Sequence, residues 1–106
     1  MSLTSDIPDW QHVMKLVKSA AETDQHDMLL TILMTADERE ALIARVNIVN
    51  ELLKGEISQR QISQMLGVGL ATITRGSNEL KAHSEQQRKV LFELLNSLDS
   101  DNISTK

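Results

Sequence analysis

The chain has 106 residues, of which 41% are hydrophobic and 25% charged, and its formal net charge is −4; these values fit one globular domain. The absence of cysteine excludes a disulfide framework, a thiolate nucleophile and a cysteine-ligated zinc site. Apolar runs do not exceed four residues and the N-terminus lacks the pattern of a signal peptide, so we expect a cytoplasmic protein without a membrane span.

Charge is unevenly distributed along the chain. Residues 54–89 contain six Lys or Arg and three Asp or Glu, whereas residues 1–53 contain four and nine. A basic segment in an acidic chain can present a local anion-binding face. Six cations spread over this segment are also compatible with ordinary solvated side chains, and charge alone leaves both interpretations open.

Helix-forming residues predominate, proline and glycine are scarce, and no alternating β-branched run appears, so we predict an all-α fold. A first helix is expected to end near Glu22, with Pro8 in its first turn and Ser5 or Asp6 as its N-cap. A short second helix is expected over residues 27–33.

A long central helix follows. Thr35 and Glu38 form a capping box at its start, and Gly55 is a suitable residue just after its end at Lys54. Its apolar surface is unusually broad and consists of Ala41, Leu42, Val46, Ile48, Val49, Leu52 and Leu53. Such a surface predicts burial from more than one direction, which favours a second copy of the chain as the cover. A monomeric bundle around the central helix is the alternative.

Residues 58–82 have the pattern of a helix-turn-helix. Ser58 and Gln61 form a second capping box, Gly67 ends a short helix, and a further helix is expected to begin near Leu70. Four apolar side chains are spaced to share a small core between these helices: Ile62, Leu66, Val68 and Ile73. A steep helix crossing of this kind occurs in DNA-binding motifs and also as plain structure.

The exposed residues of this segment are suited to contact with DNA. Small side chains at the start of a helix allow the backbone to approach a groove closely, and the free N–H groups there attract phosphate. We therefore predict DNA contacts by Lys54, Gln59, Arg60, Gly69, Leu70, Ala71, Thr72, Thr74 and Lys81.

Three stretches of the chain resemble the Trp repressor family: TADEREAL at residues 35–42, IVNELLKGEISQR at 48–60 and LGVGLATITRGSN at 66–78. The resemblance covers residues 10–98, which we expect to form one helical domain. The arm before it (1–9) and the polar tail after it (99–106) are expected to be flexible. It also implies a six-helix protomer intertwined with a second copy as a homodimer. Such a dimer would be a repressor of tryptophan biosynthesis genes that binds operator double-stranded DNA when L-tryptophan is bound as corepressor.

The family's tryptophan site can be carried over residue by residue. The resemblance implies that the guanidinium groups of Arg45 and Arg75 sandwich the indole, and that the turn at the end of the second helix, from the other protomer, supplies carbonyl groups for the ligand's ammonium. The residues implied for the whole site are Ile32, Met34, Thr35, Arg45, Thr72, Arg75, Gly76 and Glu79. L-tryptophan is then the only small ligand expected, with no metal or other cofactor.

The chain departs from the family pattern at several positions. Glu79 stands where a serine near the ligand's ammonium is familiar, so it bears on the affinity for the ligand. Ser63 and Asn47 stand where a lysine and an arginine are familiar. Each missing cation is one phosphate contact fewer, so we expect weaker DNA binding and a shallower dependence of the binding constant on salt concentration.

Two other functions remain open from the sequence. The same scaffold could bind DNA constitutively, without tryptophan control, and Glu79 is the residue that favours this alternative. A helical module that binds another protein is the second alternative, although it leaves the glycine-bounded helix without a role. No serine, threonine or lysine lies in a nucleophile arrangement, so we do not expect an enzyme.

Overall fold

The computed structural model describes the backbone of residues 9–104 and the side chains of residues 9–97. These residues form six helices: α1 (Trp10–Glu22), α2 (His26–Leu33), α3 (Ala36–Lys54), α4 (Gln59–Leu66), α5 (Leu70–Lys81) and α6 (Glu85–Ser104). The all-α prediction is confirmed, since residues 9–104 contain no strand. None of the helices in this part of the chain is long and apolar enough to cross a membrane. The chain divides into two compact units after Arg39.

The start of α1 differs from the prediction. Asp9 is the N-cap, and its carboxylate accepts a hydrogen bond from the backbone N–H of His12 at 3.0 Å. A carboxylate at this position satisfies one of the free N–H groups of the first turn, so the helix begins later than a cap at Ser5 or Asp6 requires. That choice was wrong, and the predicted flexible arm, apart from Asp9, lies outside the described residues.

The corner between α2 and α3 confirms the first predicted capping box. Thr35 N–H donates to the Glu38 carboxylate at 2.8 Å, and Glu38 N–H donates to the Thr35 hydroxyl at 3.1 Å. The guanidinium of Arg39 then reaches back and donates to the carbonyl oxygens of Thr31 at 3.1 Å and Met34 at 2.7 Å. This corner therefore has side-chain partners for backbone groups on both sides of the turn.

The helix-turn-helix is formed by α4 and α5. The Ser58–Gln61 capping box is present, and Gly67 ends α4 in the left-handed region at φ 69°. The Ser63 hydroxyl donates to the carbonyl oxygen of Val68 across the turn. Three isoleucines are fully buried beneath this corner, and four further apolar side chains pack against them: Ile48, Ile62 and Ile73, with Leu52, Ile57, Leu66 and Val68. The predicted core is confirmed, and α3 contributes Ile48 to it.

The backbone at Gly67 supports a prediction about stability. An alanine there would place a Cβ in the left-handed region, which costs about 1–2 kcal/mol, although no described atom lies within 4 Å of that Cβ position. We expect Gly67→Ala to lower the free energy of unfolding by about this amount in chemical denaturation. Gly67→Asn is the matched variant, because asparagine tolerates this conformation; a loss equal to that of the alanine variant would contradict the explanation.

The central helix leaves much of its apolar surface uncovered in the single chain. Leu42, Ile43 and Val46 are exposed, at 45%, 61% and 45% respectively. Among the hydrophobic side chains of residues 9–97, only Ile48, Ile62 and Ile73 are fully buried. The single chain therefore has a small core and a large amount of accessible apolar surface, which is unusual for a stable monomer.

The last helix begins with a capping box that was not predicted. Ser84 N–H donates to the Gln87 side chain, and Gln87 N–H donates to the Ser84 hydroxyl, both at 3.1 Å. The helix continues to Ser104, so helical backbone extends six residues beyond Leu98, where the sequence placed the end of the domain.

Candidate ligand cavity and nucleic-acid interface

A cavity of about 550 Å³ lies among α3, α5, α6 and the turn between α5 and α6. Its volume falls in the range of small-molecule sites, about 300–1,000 Å³. The residues that line it are Arg45, Ile48, Val49, Thr72, Arg75, Gly76, Asn78, Glu79, Leu80, His83 and Leu91.

Helical spacing explains how the chain brings these residues together. Positions three and four apart lie on the same face of a helix, and the α3 lining residues begin at Arg45 and continue three and four positions later. The α5 lining residues follow the same rule from Thr72. At the crossing of the two helices, a Cβ on Gly76 would lie 3.3 Å from Ile48 Cγ2, so the glycine permits the close approach of α5 to α3.

The cavity combines two cations, one anion and an apolar wall. Arg45 and Arg75 contribute guanidinium groups, Glu79 a carboxylate, and His83 an imidazole. The only ion pair among the described side chains is Lys54–Glu51, so the cavity charges are available to a ligand. Guanidinium planes stack on aromatic faces and pair with carboxylates. This arrangement suits an aromatic, zwitterionic molecule.

Five of the eight residues predicted for the ligand site line this one cavity: Arg45, Thr72, Arg75, Gly76 and Glu79. The other three, Ile32, Met34 and Thr35, lie at the C-terminal end of α2 and in the turn before α3. The carbonyl oxygen of Met34 already accepts a hydrogen bond from Arg39.

Six lining residues were not predicted: Ile48, Val49, Asn78, Leu80, His83 and Leu91. Four of them carry a signal in the sequence, because they follow Arg45, Arg75 or Gly76 at helical spacing. His83 and Leu91 carry no such signal, since their place in the cavity depends on the direction in which the chain leaves α5 and on the packing of α6.

The second candidate site is the N-terminal end of α5. Gly69 is the N-cap, and within the described chain no side chain caps this end and no acidic residue occupies the first turn. Leu70, Ala71 and Thr74 are exposed, and Thr72 is half-buried. The free N–H groups of the first turn and the positive end of the helix dipole therefore face outward, where they attract phosphate oxygens.

The polar residues predicted to contact DNA lie on three helices: Lys54 ends α3, Gln59 and Arg60 begin α4, and Lys81 ends α5. The Thr74 hydroxyl donates to the Gln59 side-chain oxygen at 3.4 Å, which links the two helices of the motif and leaves the Gln59 amide group as a donor. Arg60 and Lys81 are exposed. Lys54 is also exposed, and its ammonium lies 3.3 Å from the Glu51 carboxylate, an interaction that is weak at a surface.

Comparison with known proteins agrees with these features. The family model described as Trp repressor protein matches residues 8–95. The Trp operon repressor homolog of Vibrio cholerae is 70% identical over 87 residues, which cover 82% of this chain and 84% of that protein. The homologs of the same name from Vibrio atlanticus and Vibrio vulnificus are 63% and 66% identical over 95 residues. Each of these alignments covers 90% of this chain, and they cover 97% and 93% of the respective relatives.

Proposed function

The chain belongs to the Trp repressor family, and on that premise we propose that L-tryptophan binds in the cavity around Arg45 and Arg75 and controls its affinity for DNA. Family membership makes the protein a DNA-binding transcriptional repressor and not an enzyme. In our proposal it acts in the cytoplasm as a homodimer on operator double-stranded DNA of tryptophan biosynthesis genes, and residues 10–98 form the functional domain.

The observation that carries this proposal is the composition of the cavity. Arg45 on α3 and Arg75 on α5 both line it, together with the apolar side chains of Ile48, Val49 and Leu91. In the proposed complex the indole lies between the guanidinium groups, and Arg75 pairs with the ligand's carboxylate. Thr72 and Gly76 line the same cavity from α5.

The ammonium group of the ligand is assigned two sets of acceptors in this proposal. The carbonyl groups at Ile32, Met34 and Thr35 come from the partner subunit, as the family resemblance implies. Glu79 lies in the cavity lining of the same protomer, where its carboxylate complements an ammonium charge. In this proposal both arginines stack on the indole, Arg75 also pairs with the carboxylate, and the acceptors bind the ammonium group.

Tryptophan would couple to DNA binding through α5. This helix contributes six cavity residues, Thr72, Arg75, Gly76, Asn78, Glu79 and Leu80, and its exposed N-terminal end faces outward. A ligand that bridges α3 and α5 favours one orientation of α5 over the others. It shifts the equilibrium between these orientations only as far as its affinities for them differ. A coupling free energy of about 1–3 kcal/mol would change DNA affinity about 5- to 150-fold.

The homodimer is supported by the exposed apolar face of α3, where Leu42, Ile43 and Val46 lie. A second copy of the chain would cover this face and place two copies of the helix-turn-helix, residues 58–82, in one molecule. Two-fold symmetry of the protein then matches two-fold symmetry of the operator.

DNA binding by this interface predicts a defined response to salt. Each phosphate contact releases counterions, so the logarithm of the binding constant falls linearly with the logarithm of salt concentration. We expect Arg60→Ala to reduce the magnitude of this slope by about one unit for each Arg60 that contacts a phosphate. Fluorescence anisotropy with labelled duplex DNA measures the slope. Lys15→Ala removes an exposed cation from α1 and serves as the control; an equal reduction in that variant would contradict the assignment.

A constitutive DNA-binding regulator is the second candidate function. Glu79 favours it, because a carboxylate in the cavity can repel the carboxylate of a bound amino acid as well as attract its ammonium. The two functions differ in one observable: the constitutive regulator would bind DNA with the same affinity in the presence and absence of L-tryptophan.

A further inference from the structure

The turn between α5 and α6 is held by one arginine. Arg88, in the first turn of α6, is half-buried. Its guanidinium nitrogen Nη1 donates to the carbonyl oxygen of Leu80 at 3.0 Å and also to the carbonyl oxygen of His83. The last carbonyl groups of a helix lack partners within the helix, and a cation near them is favourable. Arg88 therefore donates to the carbonyl of His83 and is an additional donor to that of Leu80, which also accepts the N–H of His83.

The two carbonyl groups belong to residues of the ligand cavity. Leu80 and His83 both line it, whereas Arg88 is not among the described residues of the lining. The hydrogen bonds of Arg88 consequently fix the backbone of one wall of the cavity from outside. They also join the end of α5 to α6, the helix that supplies Leu91 to the same cavity.

The α2–α3 corner is constructed in the same way. Arg39 follows the capping residue Thr35 by four positions, as Arg88 follows Ser84. Each arginine uses Nη1 to reach carbonyl oxygens eight and five residues earlier in the chain. Two independent corners with one geometry indicate a specific structural device, since charge-assisted hydrogen bonds of this kind are stronger than neutral ones.

We propose that Arg88 is a positioning residue for the ligand cavity: by holding the carbonyl groups of Leu80 and His83 it keeps the end of α5 in the orientation that accepts the ligand. This inference rests on the proposed binding of L-tryptophan. Arg88 makes no contact with the ligand in this account and acts only through the backbone of the two lining residues.

The test compares Arg88→Met with Ser84→Ala by isothermal titration of L-tryptophan into the full-length protein. Methionine keeps a long apolar side chain and removes both hydrogen bonds, whereas Ser84→Ala weakens the cap of α6 and leaves the bonds of Arg88 intact. We expect the affinity for L-tryptophan to fall at least about fivefold in Arg88→Met and to stay at the wild-type value in Ser84→Ala. Equal affinities in the two variants would overturn the proposal.

Arg88→Lys covers the case in which the methionine variant does not fold. Lysine keeps a cation for the carbonyl groups but lacks the guanidinium fork, so we expect a smaller loss of affinity than with methionine and a larger one than with Ser84→Ala. Wild-type affinity in Arg88→Lys together with an unfolded Arg88→Met would assign Arg88 a role in stability only and overturn the proposal.

Hydrogen exchange separates failure of this inference from failure of the proposed function. The amides of Ala82 and His83 donate within the turn, to Asn78 and Glu79 and to Leu80 respectively. Without ligand, we expect these two amides to exchange faster in Arg88→Met than in Ser84→Ala, and equal exchange would overturn the inference. Wild-type protein that binds no L-tryptophan would instead contradict the proposed function.

Discussion

The Val46→Glu variant is expected to be unfolded at micromolar protein concentrations. Val46 is 45% exposed in the single chain, on the apolar face of α3, and the chain by itself fully buries only three hydrophobic side chains among residues 9–97. In the proposed dimer this face is covered, so a carboxylate there would be buried without a partner, at a cost of about 3–5 kcal/mol. Each dimer carries this cost twice, and the sum is comparable with the whole free energy of unfolding of a protein of this size, about 5–15 kcal/mol.

The matched variant is Asn47→Glu, which adds the same charge at the adjacent exposed position of α3. We expect this variant to remain folded and dimeric. Sedimentation equilibrium and circular dichroism, each over a range of protein concentrations, check both variants, because the melting temperature of an obligate dimer rises with concentration. A folded Val46→Glu monomer with a concentration-independent melting temperature would contradict the proposed dimer.

Replacing Arg75 with leucine is expected to abolish the response to L-tryptophan while leaving the protein folded. Arg75 is exposed and lines the cavity from α5, and in the proposed complex it stacks on the indole and pairs with the carboxylate. The loss of both interactions is worth about 2–4 kcal/mol, or roughly a 30- to 700-fold weaker affinity. Because Arg75 makes no described ion pair, its removal leaves no buried charge behind.

Arg60→Leu is the control for this experiment. It also exchanges an exposed arginine for leucine, but Arg60 lies at the start of α4 and not in the cavity lining. We expect Arg60→Leu to bind L-tryptophan as the wild type does and to bind DNA more weakly. Calorimetry and DNA-binding assays would contradict the assignment if Arg75→Leu kept its tryptophan response, or if Arg60→Leu lost it.

Several helix ends were predicted from a local signal, although the Ser84–Gln87 capping box, which has the same spacing as Ser58–Gln61, was missed. The capping boxes at Thr35 and Ser58 and the end of α4 at Gly67 all occur as the sequence predicts. The start of α1 was not predicted, because several capping residues lie within five positions of one another. The choice of Asp9 follows from its contact with the N–H of His12, which composition alone does not identify.

The cavity was predictable where helical spacing extends from a recognised residue. Arg45 and Arg75 fix the lining faces of α3 and α5. Leu91 and His83 depend on how α6 packs after the turn, and the roles of Arg39 and Arg88 depend on backbone acceptors five and eight residues away. A capping box followed directly by an arginine occurs at both corners, but this pattern alone does not identify the carbonyl groups that the arginine contacts.

Ser63 shows how one substitution has two physical consequences. From the sequence, it removes a cation from the helix-turn-helix and so weakens phosphate binding. In the structure, its hydroxyl also donates to the carbonyl oxygen of Val68, in the turn between α4 and α5. A lysine at this position would restore the charge and lose this hydrogen bond.

Isothermal titration of the purified protein with L-tryptophan, with L-phenylalanine as the control, tests the central claim most directly. We predict saturable binding near one ligand per protomer and selectivity for tryptophan, since in the proposed complex the indole lies between Arg45 and Arg75, which both line the cavity. Such binding would also show that Glu79 is compatible with the ligand. No binding at millimolar L-tryptophan would contradict the proposed control, and would make Glu79→Ser the first variant in which to look for its restoration.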